Sequence, residues 1–359
     1  MMQSAEYWMA QAIAEANTAI YRTRPNPAVG CVIVKDQQII GRGATSPVGG
    51  SHAEVHALRE AGEEAKGPTA YVTLEPCAHY GRTPPCALGL VTAGIKKVAI
   101  ATLDPNPLVA GKGVKILNDA GIETEVGILE QQAQTQNRGF LKVMAGGLPY
   151  VRLKIASSLD GRTAMASGES KWITGSASRQ DVQHWRAISG AVVTGIDTIL
   201  ADDAQLNVRE LEDVDLSTVV QPWRVILDRQ GRLPIDAKVL EQPQTVIVMT
   251  PYREDLAQLG VTQLAVQSLD TLLLELKANY QIYDVLVESG ATLATAFLNE
   301  KLVDEVIQYI APMYLGQAAR PLNQLMYDKM SEKLAFDLLE VKSFEQDLRL
   351  NLKPRYTHI

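Results

Sequence analysis

Residues 75–86 read EPCAHYGRTPPC and carry two of the chain's three cysteines, Cys77 and Cys86, with eight residues between them. Two thiolates alone make a poor zinc site. Zinc takes four ligands in a tetrahedron, and a catalytic site draws three from protein and leaves the fourth position to water. Histidine is the usual third ligand, and the chain has five: His52, His56, His79, His184 and His358. His52 is the strongest candidate because of its neighbours, Ser51-His52-Ala53-Glu54. Side chains two apart diverge in mid-helix, but in a first turn both can reach a site at the helix mouth, where free N–H groups favour negative charge. Cys86 follows Pro84-Pro85, which start a helix and place its sulfur in the first turn, where a thiolate is stabilised.

Blander readings stand beside these. Ser51-x-x-Glu54 is a good capping box, which would make Glu54 structural. Cys31 alternates within VGCVIV and reads as a small core residue. His56 could pair with His52 at i,i+4, and His79 could ligate or line a pocket beside Cys77. The combination weighs more than its parts. His-x-Glu at one helix start, then Pro-Cys and a second Cys at a later one, is a zinc-deaminase pattern, with eight residues between thiols in place of two. The chemistry would be hydrolytic: zinc makes hydroxide available near neutral pH, and Glu54 carries its proton to the ring and the departing amine. Asn26 in the Pro-Asn-Pro turn is a pocket donor or only a turn residue.

The elements that must position these groups follow from periodicity. Tyr7 to Tyr21 has helical spacing, VGCVIVKD and QQIIGRGA pair as strands, and HAEVHALREAG is a helix N-capped by Ser51 and closed by Gly62. TAYVTLE and KKVAIAT are strands, and PPCALGLVTAG, GKGVKILNDAG and EQQAQTQNRGFLKVM are helices. This alternation is that of a layered α/β domain. Ala-Gly-Gly-Leu-Pro (145–149) interrupts it, which predicts a first domain over 1–146 and a second over 147–359. In the latter YVRLKIASSLDG, AVVTGI, WRVILDR, TVIVMT, YDVLVESG and DEVIQYIAP are strand candidates, with two late strands in DLLEVKSFEQDLRLNLKP.

Totals narrow the class. A chain of 359 residues, 46% hydrophobic and 21% charged, suits roughly two globular domains. A net charge of −7 and 6% aromatics argue against a nucleic-acid-editing deaminase, which wants a basic groove with interleaved aromatics. A structural zinc module would want a fourth protein ligand and would have no use for Glu54. Three cysteines, no apolar signal core and no apolar run of ~18 residues predict a cytoplasmic protein with no membrane span.

HAEVHAL, TLEPC and GRTPPC, with RPNPAVG upstream, resemble the deaminase half of the bifunctional riboflavin-biosynthesis deaminase/reductase family. The resemblance implies a cytidine-deaminase-like three-layer α/β/α domain with a mixed sheet, zinc held by His52, Cys77 and Cys86, and Glu54 as proton shuttle. No G-x-G-x-x-G fingerprint follows in the second half. Instead LKIASSLDGRTAMASGESKWIT, HWRAISGAVVTGIDTILADDAQLNVR and VLVESGATLATAFL resemble the family's reductase half, which implies a dihydrofolate-reductase-like fold and NADPH. On that resemblance Ala156, Trp172, Thr198, Asp202 and the turn Gly290, Ala291, Thr292, Leu293, Ala294, Thr295 and Ala296 match cofactor-contacting positions. Ser170, Arg186, Leu206, Arg209 and Glu288 match positions around the substrate's ribose phosphate. Lys154 is near the reacting ribose or solvated, and Arg229 stands where the family often has a small hydroxyl residue. The implied reactions are hydrolytic deamination of 2,5-diamino-6-ribosylamino-4(3H)-pyrimidinone 5′-phosphate, then reduction of its ribosyl group to ribityl. A homo-oligomer, dimer or tetramer, is the implied assembly.

Overall fold

The computed structural model describes residues 2–78, 80, 84–107 and 109–356; His79, Gly81, Arg82, Thr83 and His358 lie outside them. The chain divides into two compact units, Met1–Gly147 and Leu148–Ile359.

The first unit runs α1 (Ala5–Asn17), β1 (Gly30–Lys35), β2 (Gln38–Ala44), α2 (Ala53–Ala61), β3 (Thr69–Val72), α3 (Cys86–Ala93), β4 (Lys97–Ile100), α4 (Lys112–Asp119), β5 (Glu123–Val126), α5 (Glu130–Gln136) and α6 (Arg138–Met144). Its five-stranded sheet has the order β2-β1-β3-β4-β5, antiparallel across β2-β1-β3 and parallel across β3-β4-β5. The period-two alternation of β1 decides which helices go where. Cys31 and Ile33 face a core shared with α2, α3 and α4, whereas Val32 and Val34 face Trp8, Met9 and Ala12 of α1 and Ala133 of α5. The result is the mixed, three-layer α/β/α arrangement.

Two elements differ from expectation. β5 is polar and mostly exposed, so it carries no apolar signal. The single helix expected over EQQAQTQNRGFLKVM is broken at Asn137, whose buried amide accepts from Ala28 N–H (2.8 Å) and donates to Ala28 O (2.9 Å). A tertiary contact across the unit outweighs helix continuity there.

The second unit runs β6 (Tyr150–Ser158), β7 (Arg162–Ala164), α7 (Ser176–Ile188), β8 (Ala191–Gly195), α8 (Ile196–Asp202), β9 (Trp223–Leu227), β10 (Val246–Met249), α9 (Glu254–Gln258), β11 (Thr262–Leu264), α10 (Leu269–Tyr280), β12 (Asp284–Glu288), α11 (Ala291–Asn299), β13 (Glu305–Ala311), β14 (Arg320–Pro321), β15 (Ala335–Phe344) and β16 (Asp347–Arg355). Its nine-stranded sheet has the order β11-β10-β9-β8-β12-β6-β13-β16-β15, parallel up to β13 and antiparallel for the last two pairings. The central strands are apolar on both faces, as a sheet covered on both sides requires. Val151, Leu153 and Val285 meet α10 and α11, while Val192, Leu286 and Ile307 meet α7, α8 and α9. Among the described residues no helix is long and apolar enough to cross a membrane.

Candidate active sites

In the first unit, α2 presents His52 and Glu54. An alanine face (Ala53, Ala57, Ala61) packs on Gly41 and Gly43 of β2 so closely that a Cβ on either glycine would sit 2.2 Å from Ala57 O or 2.4 Å from Ala53 O. Small residues on both sides therefore press the start of α2 against the sheet. The expected capping box does not form. The helix begins at Ala53 with His52 itself at the N-cap position, making no side-chain cap bond, and Glu54 is only the second helical residue. Ser51 lies outside the helix, where its carbonyl accepts from Ser46 N–H (3.0 Å). His56 is taken by Ser46, Nε2 to Oγ at 2.7 Å, which removes it from the metal set.

Cys77 follows β3 on an extended arm, and Cys86 is the first residue of α3, after Pro85 at the N-cap. His52 Nδ1 lies 3.2 Å from Cys86 Sγ and 3.6 Å from Cys77 Sγ, and the three donor atoms all fall within 4.8 Å of one another. Zn–S and Zn–N bonds of about 2.3 and 2.0–2.1 Å at a tetrahedral angle put sulfur and nitrogen about 3.5–3.6 Å apart. One nitrogen and two sulfurs at these separations fit a single zinc ion with a fourth position open. Cys86 N–H also donates to Cys77 Sγ (3.2 Å), joining the two arms.

The electrostatics are those of a site built around a thiolate. The Cys86 thiol beside Cys77 holds the Cys77 sulfur down to about 4, and the Cys77 sulfur in turn pushes Cys86 up. The hydrogen bond to Cys77 raises His52. Glu54 is 4% exposed, and burial lifts its carboxyl to about 7, the range in which a group can both take and give a proton. Cys31 is fully buried in the sheet and is no part of this cluster.

In the second unit the named residues gather more loosely at the C-terminal ends of parallel strands. Arg186, in the last turn of α7, meets Glu288 at the end of β12 in a two-point ion pair (Nε to Oε1 2.5 Å, Nη2 to Oε2 3.0 Å) and donates to Asn207 O (3.1 Å). Burial alone would raise the Glu288 carboxyl, but the adjoining guanidinium offsets that and holds it below its ordinary value. Lys154 pairs in register with Glu288 across β6 and β12, and burial lowers its ammonium. Arg209 is exposed and donates to Gln205 Oε1 (3.3 Å). Leu206 puts its side chain into the core, so only its main chain is available to a ligand.

Gly290 is the N-cap of α11, and the N–H groups of Ala291, Thr292 and Leu293 lack acceptors by helix geometry, a favourable setting for a phosphate. Ala294 is buried in the core with its N–H bonded to Gly290 O (3.2 Å), and the Thr295 hydroxyl accepts from Gln324 N–H (2.7 Å). Those two side chains thus face inward, while Ala296 packs at the core's margin. Thr198 and Asp202 lie on α8, Asp202 paired with Lys171 (3.3 Å), and Ser170 is the next residue up the chain. Trp172 is 67% exposed with the Arg179 guanidinium 4.3 Å from its ring. Ala156 is half-buried on β6. Arg229 is exposed just beyond β9.

Sequence reasoning passed over Asp347. From β16 it accepts from Gly175 N–H (2.7 Å) and from the Ser178 hydroxyl (2.6 Å), capping the helix that carries Arg186. Its partner is 172 residues away, so no local signal could have found it.

Comparison with known proteins covers both units. The family described as cytidine and deoxycytidylate deaminase zinc-binding region matches residues 2–102, and the RibD C-terminal domain family matches residues 149–350. The riboflavin biosynthesis protein RibD of Haemophilus influenzae is 48% identical, with 97% of each chain covered. That of Escherichia coli is 45% identical, over 97% of this chain and 98% of the relative. Among solved structures, Acinetobacter baumannii RibD superposes with a TM-score of 0.94 at 64% identity, covering 98% of this chain and 99% of that one. A Thermotoga maritima diaminohydroxyphosphoribosylaminopyrimidine deaminase/5-amino-6-(5-phosphoribosylamino)uracil reductase gives 0.87 at 35% identity, covering 98% of each chain.

Proposed function

The chain belongs to the bifunctional riboflavin-biosynthesis deaminase/reductase family, and from that premise we propose how its own residues divide the two reactions. It is a zinc-dependent pyrimidine deaminase and an NADPH-dependent reductase. We assign the deamination to residues 1–146 and the reduction to residues 147–359, a division supported by where the two families match.

His52, Cys77 and Cys86 hold the zinc, which when bound polarises a water for attack at neutral pH. Glu54, buried beside the ligands, would take one proton of the attacking water and pass it to the ring nitrogen, then carry the second from the added hydroxyl to the amine, which leaves as ammonia. In the second unit NADPH supplies a hydride. The first-turn N–H groups of α11 receive its phosphate, with Ala156, Trp172, Thr198 and Asp202 lining the remainder. Arg209 and Ser170 hold the substrate's phosphate, and Arg186 contributes through the donors its pairing with Glu288 leaves over. Ammonia and a ribityl product, 5-amino-6-ribitylaminouracil 5′-phosphate, are the outputs.

The carrying observation is the convergence of His52 Nδ1, Cys77 Sγ and Cys86 Sγ beside a buried Glu54. Glu54→Gln tests it: ammonia release falls by about 10²–10⁴-fold, the scale of general acid–base catalysis, with zinc content and NADPH binding unchanged. Turnover that survives the substitution would rule out Glu54 as the proton carrier.

Assembly as a homo-oligomer is part of the same reading. β15 is the edge of the large sheet and exposes Leu338 (60%), Leu339 (45%) and Val341 (51%), with Leu348 (42%) on the adjoining strand. A long apolar edge strand is an invitation to pair, and covering it with a second copy removes the liability. Sedimentation of the full chain should give at least twice the monomer mass; a monomer at micromolar concentration contradicts it. A reducing, cytoplasmic setting suits the three free thiols.

A further inference from the structure

Glu75 stands two residues before Cys77, 4% exposed, and the deamination chemistry makes no use of it. Its carboxylate accepts four backbone N–H groups: Oε2 from Asp104 (3.3 Å) and Gly111 (3.0 Å), Oε1 from Gly113 (2.9 Å) and Val114 (3.2 Å). Among the described residues no lysine or arginine pairs with it. Its negative charge is met instead by the N-terminal turn of α4 and the loop before it, where unpaired N–H groups favour an anion. The fit is close. A Cβ on Gly113 would lie 2.1 Å from Pro76 O, so α4 also abuts the Pro76–Cys77 peptide.

From there the connection runs on to both sulfurs. Glu75 N–H donates to Thr102 O (3.0 Å), pinning the start of the arm to the segment just after β4. At the far end Cys77 O accepts Ala87 N–H (3.2 Å), and Cys77 Sγ accepts Cys86 N–H (3.2 Å). Among its described residues the arm between β3 and α3 carries no strand, and Glu75 gives it four side-chain bonds to α4 and the loop before it.

We propose that Glu75 is a positioning residue for the metal centre: by seating its carboxylate in the start of α4 it sets where the Cys77 sulfur lies, and through Cys77 the start of α3 and Cys86. This rests on the reading of His52, Cys77 and Cys86 as the zinc ligands. Groups that orient a ligand from outside the coordination sphere commonly govern metal affinity by about 10–100-fold.

Glu75→Gln keeps the shape but turns an amide N–H₂ toward donors. In the full-length holoenzyme it should lose zinc to a chelator about 10-fold faster or more. The visible spectrum of the cobalt-substituted protein should shift, while NADPH binding stays at the wild-type level. Gly113→Ala keeps the carboxylate's charge but puts a Cβ 2.1 Å from Pro76 O and 3.1 Å from Glu75 Oε1, displacing the seat itself, and should act in the same direction. The wild-type protein supplies a measurement independent of any variant's folding. After zinc is stripped, the Gly111, Gly113 and Val114 amides should stay protected from hydrogen exchange, because their acceptor is a side chain and not the metal. Free exchange at these three amides overturns the proposal. So does a Glu75→Gln protein of lowered melting temperature whose cobalt spectrum and zinc loss match wild type. Cys77→Ser separates the two readings: zinc retained there removes the ligand assignment itself, whereas zinc lost there but held normally by Glu75→Gln removes only the tether.

Discussion

The two units make their sites in opposite ways. On the proposed assignment the first gathers its metal donors from residues 52–86, and every one is a side chain of distinctive chemistry. On the same proposal the second draws on residues 156–296 and depends heavily on main chain: the opening turn of α11, strand ends, the backbone at Leu206, and a side chain such as Ala156 that contributes little beyond shape. Zinc demands particular donor atoms, so residue types and spacing announce it. A dinucleotide phosphate is satisfied by any helix start whose N–H groups are free, and those are chemically silent in a sequence.

The contrast can be broken or sharpened. If the units carry their sites independently, Arg186→Ala should hit only the second. It leaves Glu288 a buried, unpaired carboxylate, costing about 3–5 kcal/mol, so calorimetry should show one transition moved down while zinc content and ammonia release hold. Loss of deamination along with it would mean the two sites are not separable. Arg209→Ala is milder, because the residue is exposed and makes no buried pair. It should weaken substrate binding by about 10–100-fold, the worth of one charge-assisted hydrogen bond, with NADPH affinity unchanged in a fluorescence titration. A joint loss would move Arg209 to the cofactor. The smallest effect belongs to the third cysteine. Cys31→Ala removes one buried sulfur from β1 and should cost about 1 kcal/mol by denaturant melt, with a full complement of zinc. Metal loss in that variant would bring Cys31 into the ligand set.

Much of the frame was legible in the chain. The alternating strands, the helix start at Cys86 and the two late strands follow from periodicity and proline placement, and the folded positions agree with them. The failures are instructive. Ser51-x-x-Glu54 satisfied a capping rule, yet the cap falls on His52, and Ser51 lies before it with its carbonyl bonded to Ser46 N–H. Asn137 sits in a helical pattern and leaves it for Ala28, 109 residues earlier. β5 is a polar edge strand that no hydrophobic pattern could reveal.

What residue order determined unaided is the inventory: an imidazole, a carboxylate and one thiol near helix starts, with a second thiol shortly before that one, and two α/β units with a Gly-Gly-Leu-Pro joint between their patterns. Tertiary structure decided the pairings that give each of those groups its state. Burial lifts Glu54, Arg186 is spent largely on Glu288, Asp347 caps a distant helix, and Glu75 finds α4 rather than a lysine. Local pattern encodes propensity and period, which act over a few residues. Desolvation and hydrogen-bond partners are properties of whatever the chain brings near, often more than a hundred residues away, and they exist only once it has folded.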